Sequence, residues 1–149
     1  MKRVFLKAKV KDIPRNLTPD GYFILKLTQH NIHKWPGLIQ KCIDKFNSVH
    51  KWDEMWNEMD AEGRFELGHT MWVYLKLGEF DNPIGYIWID GSDFYNAFMH
   101  PSREKGHSVL FYQEVIHDLD YKIEEVDMWT DDWNIAAQKW ALKTGFKII

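Results

Sequence analysis

The sequence has little of several features that mark specialised classes of protein. Its 149 residues contain one cysteine, Cys42, so an internal disulfide is excluded and a reducing compartment is the default expectation. The net charge of −3 argues against a general nucleic-acid binder, since such domains are usually basic. No apolar run approaches the roughly 20 residues of a membrane-spanning helix. We therefore expect a cytoplasmic protein with neither a nucleic acid nor a membrane as partner.

The start of the chain lacks the uninterrupted apolar core that a secretion signal needs. In MKRVFLKAKVKD, the charged side chains of Arg3, Lys7, Lys9 and Lys11 alternate with apolar ones. Alternation with a period of two is typical of a β-strand with one buried face. The sequence therefore predicts an N-terminal strand and no signal peptide.

Neither a metal centre nor a reactive thiol is expected. Cys42 lies at helical spacing with the apolar residues of LIQKCIDKF, which favours a core thiol over a nucleophile. His30 and His33 form an H-x-x-H pattern, but no cysteine or carboxylate cluster accompanies them in the sequence. We therefore assign no metal ligand.

Strand and helix patterns alternate along the rest of the chain. YFILKLT, MWVYLKL, PIGYIWI, FYNAFMH, KIEEVDMWT and FKII predict strands. Helical spacing marks WPGLIQKCIDKF, the residues after Gly106, and WNIAAQKWALKTG. A further short helix, capped by Ser48, is predicted from a stripe of large apolar side chains at Trp52, Met55, Trp56 and Met59. This order predicts one α+β or mixed α/β domain over residues 1–149.

The stretch PSREKGHSVL combines features that suit a phosphate group. It follows a predicted strand and precedes a predicted helix, whose N-terminus offers free backbone N–H groups. Arg103 and Lys105 carry positive charge, Gly106 permits close approach of a ligand, and Ser108 is small. It is neither a Walker P-loop nor a dinucleotide fingerprint. The alternative interpretation is an ordinary helix start with exposed charges.

A second stretch makes the first more specific. MHPSREKGHSVLFYQEVI followed by VDMWTDDWNIAAQKWALKTGFKII resembles the GCN5-related N-acetyltransferase (GNAT) family. The first signature is Arg103, Gly106 and Ser108, and the second comprises Asn134, Ala137, Gly145 and Phe146. The resemblance covers about residues 83–149, whereas the N-terminal half matches only in the order of its elements.

The resemblance implies a GNAT-like α/β fold. Its centre is a mixed, mostly antiparallel sheet, flanked by helices, in which two central strands splay apart. By position, the splayed strands are expected to be PIGYIWI and FYNAFMH. Residues 1–82 would then form the acceptor side of the single domain, and residues 83–149 the acyl-CoA side.

The resemblance also implies a cosubstrate, acetyl-CoA or another acyl-CoA. Backbone groups near Phe98 and Met99 would pair with the pantetheine arm, and Asn134 would contact the same part of the cosubstrate. Main-chain N–H groups would hold the pyrophosphate, in a loop made of Arg103, Glu104, Lys105, Gly106, His107 and Ser108.

The implied activity is direct transfer of an acyl group, usually acetyl, from the thioester to a primary amine. The acceptor is an amine of a small molecule or a protein, and a second copy of the chain is a candidate partner in a homodimer. The sequence assigns no catalytic residue. His100, Asp93 and Tyr95 are the candidates, because they lie on or beside the strand expected to border the cosubstrate.

The sequence departs from the family pattern at several points. Many members have a tyrosine seven residues after the asparagine, as general acid toward the thiolate, and this chain has Ala141 there. The loop is one residue short, and the usual final hairpin is truncated at Ile149. These departures leave open a catalytically weak GNAT-fold protein that acts as a binding or interaction module. An unrelated α/β binding domain is the third possibility.

Overall fold

One seven-stranded sheet organises the molecule. The structure, a computed structural model, describes residues 2–49, 58–80 and 82–149, without the side chains of residues 58 and 59. The strands, in chain order, are β1 Arg3–Lys9, β2 Tyr22–Leu27, β3 Thr70–Lys76, β4 Gly85–Asp90, β5 Asp93–Met99, β6 Glu125–Asp131 and β7 Lys147–Ile148. Their order in the sheet is β2-β3-β4-β5-β6-β1-β7, and β5 with β6 is the parallel pair. The expected mixed, mostly antiparallel sheet is confirmed.

Helices cover both faces of this sheet. Helices α1 (Leu38–Val49) and α2 (Glu58–Glu66) pack on one face, and α3 (His107–Asp118) and α4 (Ile135–Thr144) on the other. Strands β3 and β4 lie between the two helical layers and are buried along most of their length. None of the described helices is long and apolar enough to cross a membrane.

The face covered by α1 and α2 corrects one sequence prediction and confirms another. Ser48 lies within α1, where its hydroxyl donates to the Lys45 carbonyl at 2.7 Å, so it does not cap a second helix. The stripe predicted for that helix, Trp52, Met55, Trp56 and Met59, falls on side chains outside the described residues. Cys42 is fully buried in this core, and burial raises the pKa of its thiol, as expected for a structural cysteine.

The N-terminal strand lies next to one edge of the sheet, between β6 and β7. β1 pairs antiparallel with β6 along its whole length, from Arg3 opposite Asp131 to Lys9 opposite Glu125. Its other edge pairs with the two-residue strand β7. Leu6 and Ala8 point into the core beneath α3 and α4, which explains the alternation of the sequence.

The splayed strands are β5 and β6, so the expectation of β4 and β5 is wrong. β4 and β5 form an antiparallel hairpin from Asp90 opposite Asp93 to Gly85 opposite Met99. β5 and β6 pair at only two positions, Asp93–Asp127 and Phe94–Met128, and then separate. β5 stays paired with β4, and β6 stays paired with β1. The twist of the sheet therefore separates β5 from β6.

A β-bulge interrupts β5 just beyond the point of separation. Tyr86 pairs with Phe98 and Trp88 with Tyr95, so one residue of β4 faces two of β5. Within the bulge Asn96 has φ of 54°, a left-handed conformation that asparagine tolerates better than most residues. The bulge takes backbone groups of β5 out of the ladder with β4, beside the gap between β5 and β6.

Candidate functional site

A groove begins where β5 and β6 separate. Its inner part, a cavity of about 240 Å³, is bounded by Tyr95 and Ala97 of β5, Met128 and Thr130 of β6, and Trp140 of α4. An outer cavity of about 760 Å³ continues from Ala97 and Trp140 toward the start of α3. Because the two cavities share these residues, they form one groove from the centre of the sheet to the surface.

The outer cavity is strongly cationic. Arg103 and Lys105 of the loop and Lys139 and Lys143 of α4 line it, and no carboxylate does so among the described residues. This local charge is opposite to the net charge of −3 of the whole chain. Such a concentration of positive charge suits an anionic ligand with several phosphates.

The sequence prediction missed the contribution of α4 to this surface. Ala136, Lys139, Trp140 and Lys143 stand at i, i+3, i+4 and i+7, which places them on one side of the helix. That spacing is visible in the sequence. The sequence does not reveal its role, because an overlapping stripe of tryptophan and alanine residues predicts a face buried in the core.

The start of α3 has unused hydrogen-bonding capacity. Gly106 is the N-cap residue with φ of 86° and provides no side-chain cap. The backbone N–H groups of Lys105, Gly106 and Ser108 have no acceptor among the described residues. The buried hydroxyl oxygen of Ser108 likewise has no partner within the described part of the chain. Donors without partners at a helix N-terminus fit a phosphate group.

Two predicted loop residues direct their side chains elsewhere. Glu104 accepts a hydrogen bond from the hydroxyl of Tyr22 at 3.1 Å and lies 3.3 Å from Nε2 of His107. His107 is buried, and its Nδ1 shares a 2.9 Å hydrogen bond with the hydroxyl of Tyr74. These contacts anchor the loop to β2 and β3, so Glu104 and His107 shape the loop instead of lining the groove.

Some main-chain N–H groups of the loop donate within the loop itself, and others do not. The N–H group of Arg103 donates to the His100 carbonyl at 3.0 Å, and that of His107 to the Glu104 carbonyl at 3.2 Å. These two groups stabilise the turn itself. Within the loop, Lys105, Gly106 and Ser108 therefore remain the better main-chain candidates for an anion.

Phe98 and Met99 lie on the strand that borders the groove. On one side β5 pairs with β4, and His100 continues this pairing by donating to the Ile84 carbonyl at 2.8 Å. On the other side no described strand pairs with β5 beyond Phe94. Among the described strands, none pairs with the edge of β5 away from β4 between Tyr95 and Met99, so an extended ligand could pair there, as in strand addition.

Asn134 lies in the inner part of the groove and has a structural role as well. It is the N-cap of α4, and its side-chain oxygen accepts from the Ala137 N–H group at 3.1 Å. Its amide nitrogen is the polar atom left for a ligand.

Ala141, at the position of the usual tyrosine, does not line the groove, whereas its neighbour Trp140 does. Ala141 is fully buried in the core beneath α3. Trp140 lines both cavities, and its ring lies 4.3 Å from that of Tyr112, measured between centroids. Among the described residues, no hydroxyl of α4 lines the groove. Neither Trp140 nor Ala141 can therefore act as the general acid that a tyrosine supplies in many family members.

The three catalytic candidates occupy different places. Tyr95 lines the inner cavity. Asp93 lies at the closed end of the splay, where burial and a hydrogen bond with Asp127 raise the pKa of its carboxyl to about 6. His100 is bonded to Ser102 in the loop, and burial together with Lys45 lowers the pKa of its imidazole. Among these candidates, the described cavities include only Tyr95.

Two residues from the N-terminal half of the chain lie beside Tyr95. His69, which follows α2, shares a hydrogen bond between its Nδ1 and the Tyr95 hydroxyl. The guanidinium of Arg64 lies 5.4 Å from the centroid of the Tyr95 ring. Arg64 also donates to Asn96 through two nitrogens at 3.0 Å, with the amide oriented to accept. The sequence prediction missed His69 and Arg64, because no pattern links the end of α2 to β5.

Comparison with known proteins identifies the fold. No protein-family model and no curated protein match the chain. A functionally unknown conserved protein from Staphylococcus epidermidis matches with a TM-score of 0.70 and 12% identity over 99% of this chain and 57% of that one. An aminoglycoside acetyltransferase from an uncultured soil sample, in complex with trehalose, matches with a TM-score of 0.60 and 12% identity over 86% and 90% of the two chains.

A third match is a GCN5-related N-acetyltransferase from Kribbella flavida. Its TM-score is 0.54, with 10% identity over 99% of this chain and 55% of that one. The chain thus spans little more than half the length of the Staphylococcus and Kribbella structures. At these identities the likeness establishes fold alone, and that fold is GNAT-like.

Proposed function

We propose that this protein is an acyl-CoA-dependent N-acyltransferase that transfers acetyl to a primary amine. The observation that carries the proposal is the groove, which joins an open strand edge to a cationic helix N-terminus. An acyl-CoA has the matching parts: an extended pantetheine arm and, at its far end, several phosphates. The acetyltransferases among the fold neighbours support the same class of reaction.

The proposed site uses different elements for different parts of the cosubstrate. The N–H groups of Lys105, Gly106 and Ser108 would hold the pyrophosphate. The charges of Arg103, Lys105, Lys139 and Lys143 would stabilise the phosphates as a group. The edge of β5 near Phe98 and Met99 with which β6 does not pair, together with the amide of Asn134, would hold the pantetheine arm.

The reacting end would lie in the inner cavity, beside the bulge of β5. When bound, an acyl-CoA supplies an activated thioester. Backbone groups of Asn96 and Ala97, which the bulge frees from the ladder with β4, are the candidates to polarise its carbonyl. The acceptor, an amine of a small molecule or a protein, would approach from the side of α1 and α2, where Tyr95 lies.

A panel of amines tests the proposal. Release of free thiol from acetyl-CoA would be followed with spermidine, kanamycin and a lysine-containing peptide as acceptors. We expect release above the rate without acceptor for at least one of them, and mass spectrometry should detect the acetylated product. Tight binding of acetyl-CoA with no release from any acceptor would favour a binding module instead. The absence of a hydroxyl on the groove side of α4 is the observation that favours this alternative.

A further inference from the structure

Three polar side chains connect the inner groove to the surface. Tyr95 is one of the residues that line the inner cavity, and its hydroxyl shares a hydrogen bond with Nδ1 of His69. Nε2 of His69 lies 3.4 Å from Oδ2 of Asp90. These residues come from β5, from the connection before β3, and from the end of β4. The sheet therefore assembles a chain of contacts from parts of the sequence that are far apart.

Exposure rises along this chain. The side chain of His69 is 18% exposed, and that of Asp90 is 60% exposed. Tyr95 is half-buried at the groove. A proton that leaves the groove through Tyr95 and His69 would thus reach a carboxylate in contact with water.

Packing holds the tyrosine in this arrangement. Its ring is stacked on that of Trp88 at 6.4 Å between centroids, and the His69 ring meets its edge at 5.5 Å. The Arg64 guanidinium lies over the same ring. Because burial raises the pKa of Tyr95 to about 12, the residue remains a neutral hydroxyl near neutral pH and can pass on a proton as it receives one.

We propose that Tyr95, His69 and Asp90 form a proton path that removes the proton of the acceptor amine during acyl transfer. Tyr95 is the catalytic residue of this path, whereas His69 and Asp90 act through it. The proposal rests on the proposed function, because the path needs an amine in the groove. It also assigns a role to side chains from the acceptor side of the chain, which the motifs of the C-terminal half leave without one.

The protons balance in a simple way. The amine nitrogen forms its bond to the acyl carbon as the carbon–sulfur bond breaks, and the nitrogen gives up one proton. Tyr95 takes that proton at its hydroxyl oxygen while its own proton passes to Nδ1 of His69. Asp90 stabilises the resulting imidazolium, which releases a proton to water. The leaving thiolate takes a proton from solvent.

Substitutions at the two inner positions test the path. Tyr95→Phe keeps the ring and removes the hydroxyl, so we expect kcat to fall about 100-fold with the KM for acetyl-CoA changed less than about threefold. His69→Gln should give a similar loss. Tyr121→Phe and His30→Gln, both at exposed positions, are the matched controls and should retain wild-type rates. Circular dichroism and thermal melting would establish that each variant is folded.

The pH profile separates a proton path from a merely structural role. His69 must be neutral to accept a proton, so the rising limb of kcat/KM against pH in the wild type should depend on this side chain. The charged and titratable groups around the path are Asp90 on β4, Asp93 and Tyr95 on β5, and Arg64 on α2. The contribution of His69 to the rising limb should be absent in His69→Gln. Asp90→Asn should lower kcat, because the imidazolium loses the carboxylate that lies 3.4 Å from its Nε2.

The outcomes distinguish this inference from the proposed function. Absence of acetyl-CoA binding to the wild type would overturn both. An active wild type whose Tyr95→Phe variant keeps both its kcat and its rising limb would overturn the proton path alone. Binding without turnover on spermidine, kanamycin and the lysine peptide would also overturn it, because the path would then serve no reaction. If Tyr95→Phe does not fold, the profiles of His69→Gln and Asp90→Asn decide in the same way.

Discussion

Two lysines of α4 contribute to the positive charge of the outer groove. Lys139 and Lys143 stand one turn apart and line the same cavity as Arg103 and Lys105 of the loop. Electrostatic attraction between exposed groups is modest for each pair and is screened by salt. We therefore expect the combined contribution of the lysines to the binding of an anionic ligand to be measurable, and to weaken as ionic strength rises.

We predict that Lys139→Ala combined with Lys143→Ala raises the Kd for acetyl-CoA by roughly tenfold at low salt, as expected for the loss of two exposed charge interactions. The effect should shrink as salt is added. Isothermal titration calorimetry at two salt concentrations would measure it. The control is Lys7→Ala with Lys147→Ala, on β1 and β7 away from the groove. An equal loss in the control pair would contradict a local role for the α4 lysines.

At the scale of elements, β5 and α4 each contribute part of the wall of the groove that opens between β5 and β6. β5 contributes an open backbone edge and a bulge, and α4 contributes Asn134 and Trp140. Asn134 has two separable tasks, since its side chain caps α4 and its remaining amide nitrogen is available to a ligand. Substitutions that keep only the capping function can distinguish them.

We predict that Asn134→Ala lowers the free energy of unfolding by about 1 kcal/mol, because the Ala137 N–H group loses its acceptor. Asn134→Asp should keep the cap and most of the stability, and yet bind acetyl-CoA more weakly, because it lacks the amide donor. Urea denaturation measures the first effect and calorimetry the second. Stability of the alanine variant equal to that of the wild type would show that the cap contributes nothing.

Local sequence patterns predict the strands and helices themselves better than they predict which strands pair in the sheet. The turn after Asp90 and the alternation of FYNAFMH indicate a hairpin, and β4 and β5 form one. The separation of β5 from β6 is a property of two strands over 25 residues apart in sequence, each held by a different partner. No local pattern reveals it, which explains why the splay was assigned to the wrong pair of strands.

At the scale of the whole molecule, the two halves of the chain contribute different parts of the site. The motifs of the C-terminal half indicate the loop and Asn134, and the structure places both along the groove. His69 and Arg64 come from the N-terminal half and reach Tyr95 only because the sheet brings β3 and β5 on either side of β4. Single residues at unremarkable spacing carry no signal of such contacts, so the sequence could not predict them.

The closed end of the splay affects the stability of the whole molecule. Burial, and then the hydrogen bond and negative charge of Asp127, raise the pKa of Asp93 from its ordinary value of 3.8 to about 6. Between these two values the folded state binds more protons than the unfolded state. The contribution of protonated Asp93 to the free energy of unfolding is therefore fully present below about pH 3.8, and it is lost as the pH rises through about 6.

We predict that Asp93→Asn is more stable than the wild type above pH 6 by about 1 kcal/mol, a figure that allows for partial solvent exposure of the carboxyl. The two proteins should be equally stable near pH 4. Urea denaturation at pH 4 and pH 7.5 measures the difference, with Asp20→Asn at an exposed position as control. An advantage of the same size at both pH values would show that the ionised carboxylate of Asp93 is not the cause.

The proposed function requires that the groove binds an acyl-CoA with its phosphates at the start of α3. The geometry of Gly106 offers a matched pair of variants, since a Cβ at this position would meet no atom within 4 Å. Gly106→Ala therefore introduces only the strain of a positive φ, about 1–2 kcal/mol, whereas Gly106→Asp also adds negative charge beside the proposed phosphate site.

Calorimetric titration of acetyl-CoA into the wild type and these two variants measures this binding. We predict one binding site per chain in the wild type, retained within a few-fold in Gly106→Ala and lost in Gly106→Asp, with both variants folded at the temperature of the titration. The absence of binding to the wild type at millimolar acetyl-CoA, or unchanged binding to Gly106→Asp, would contradict the account.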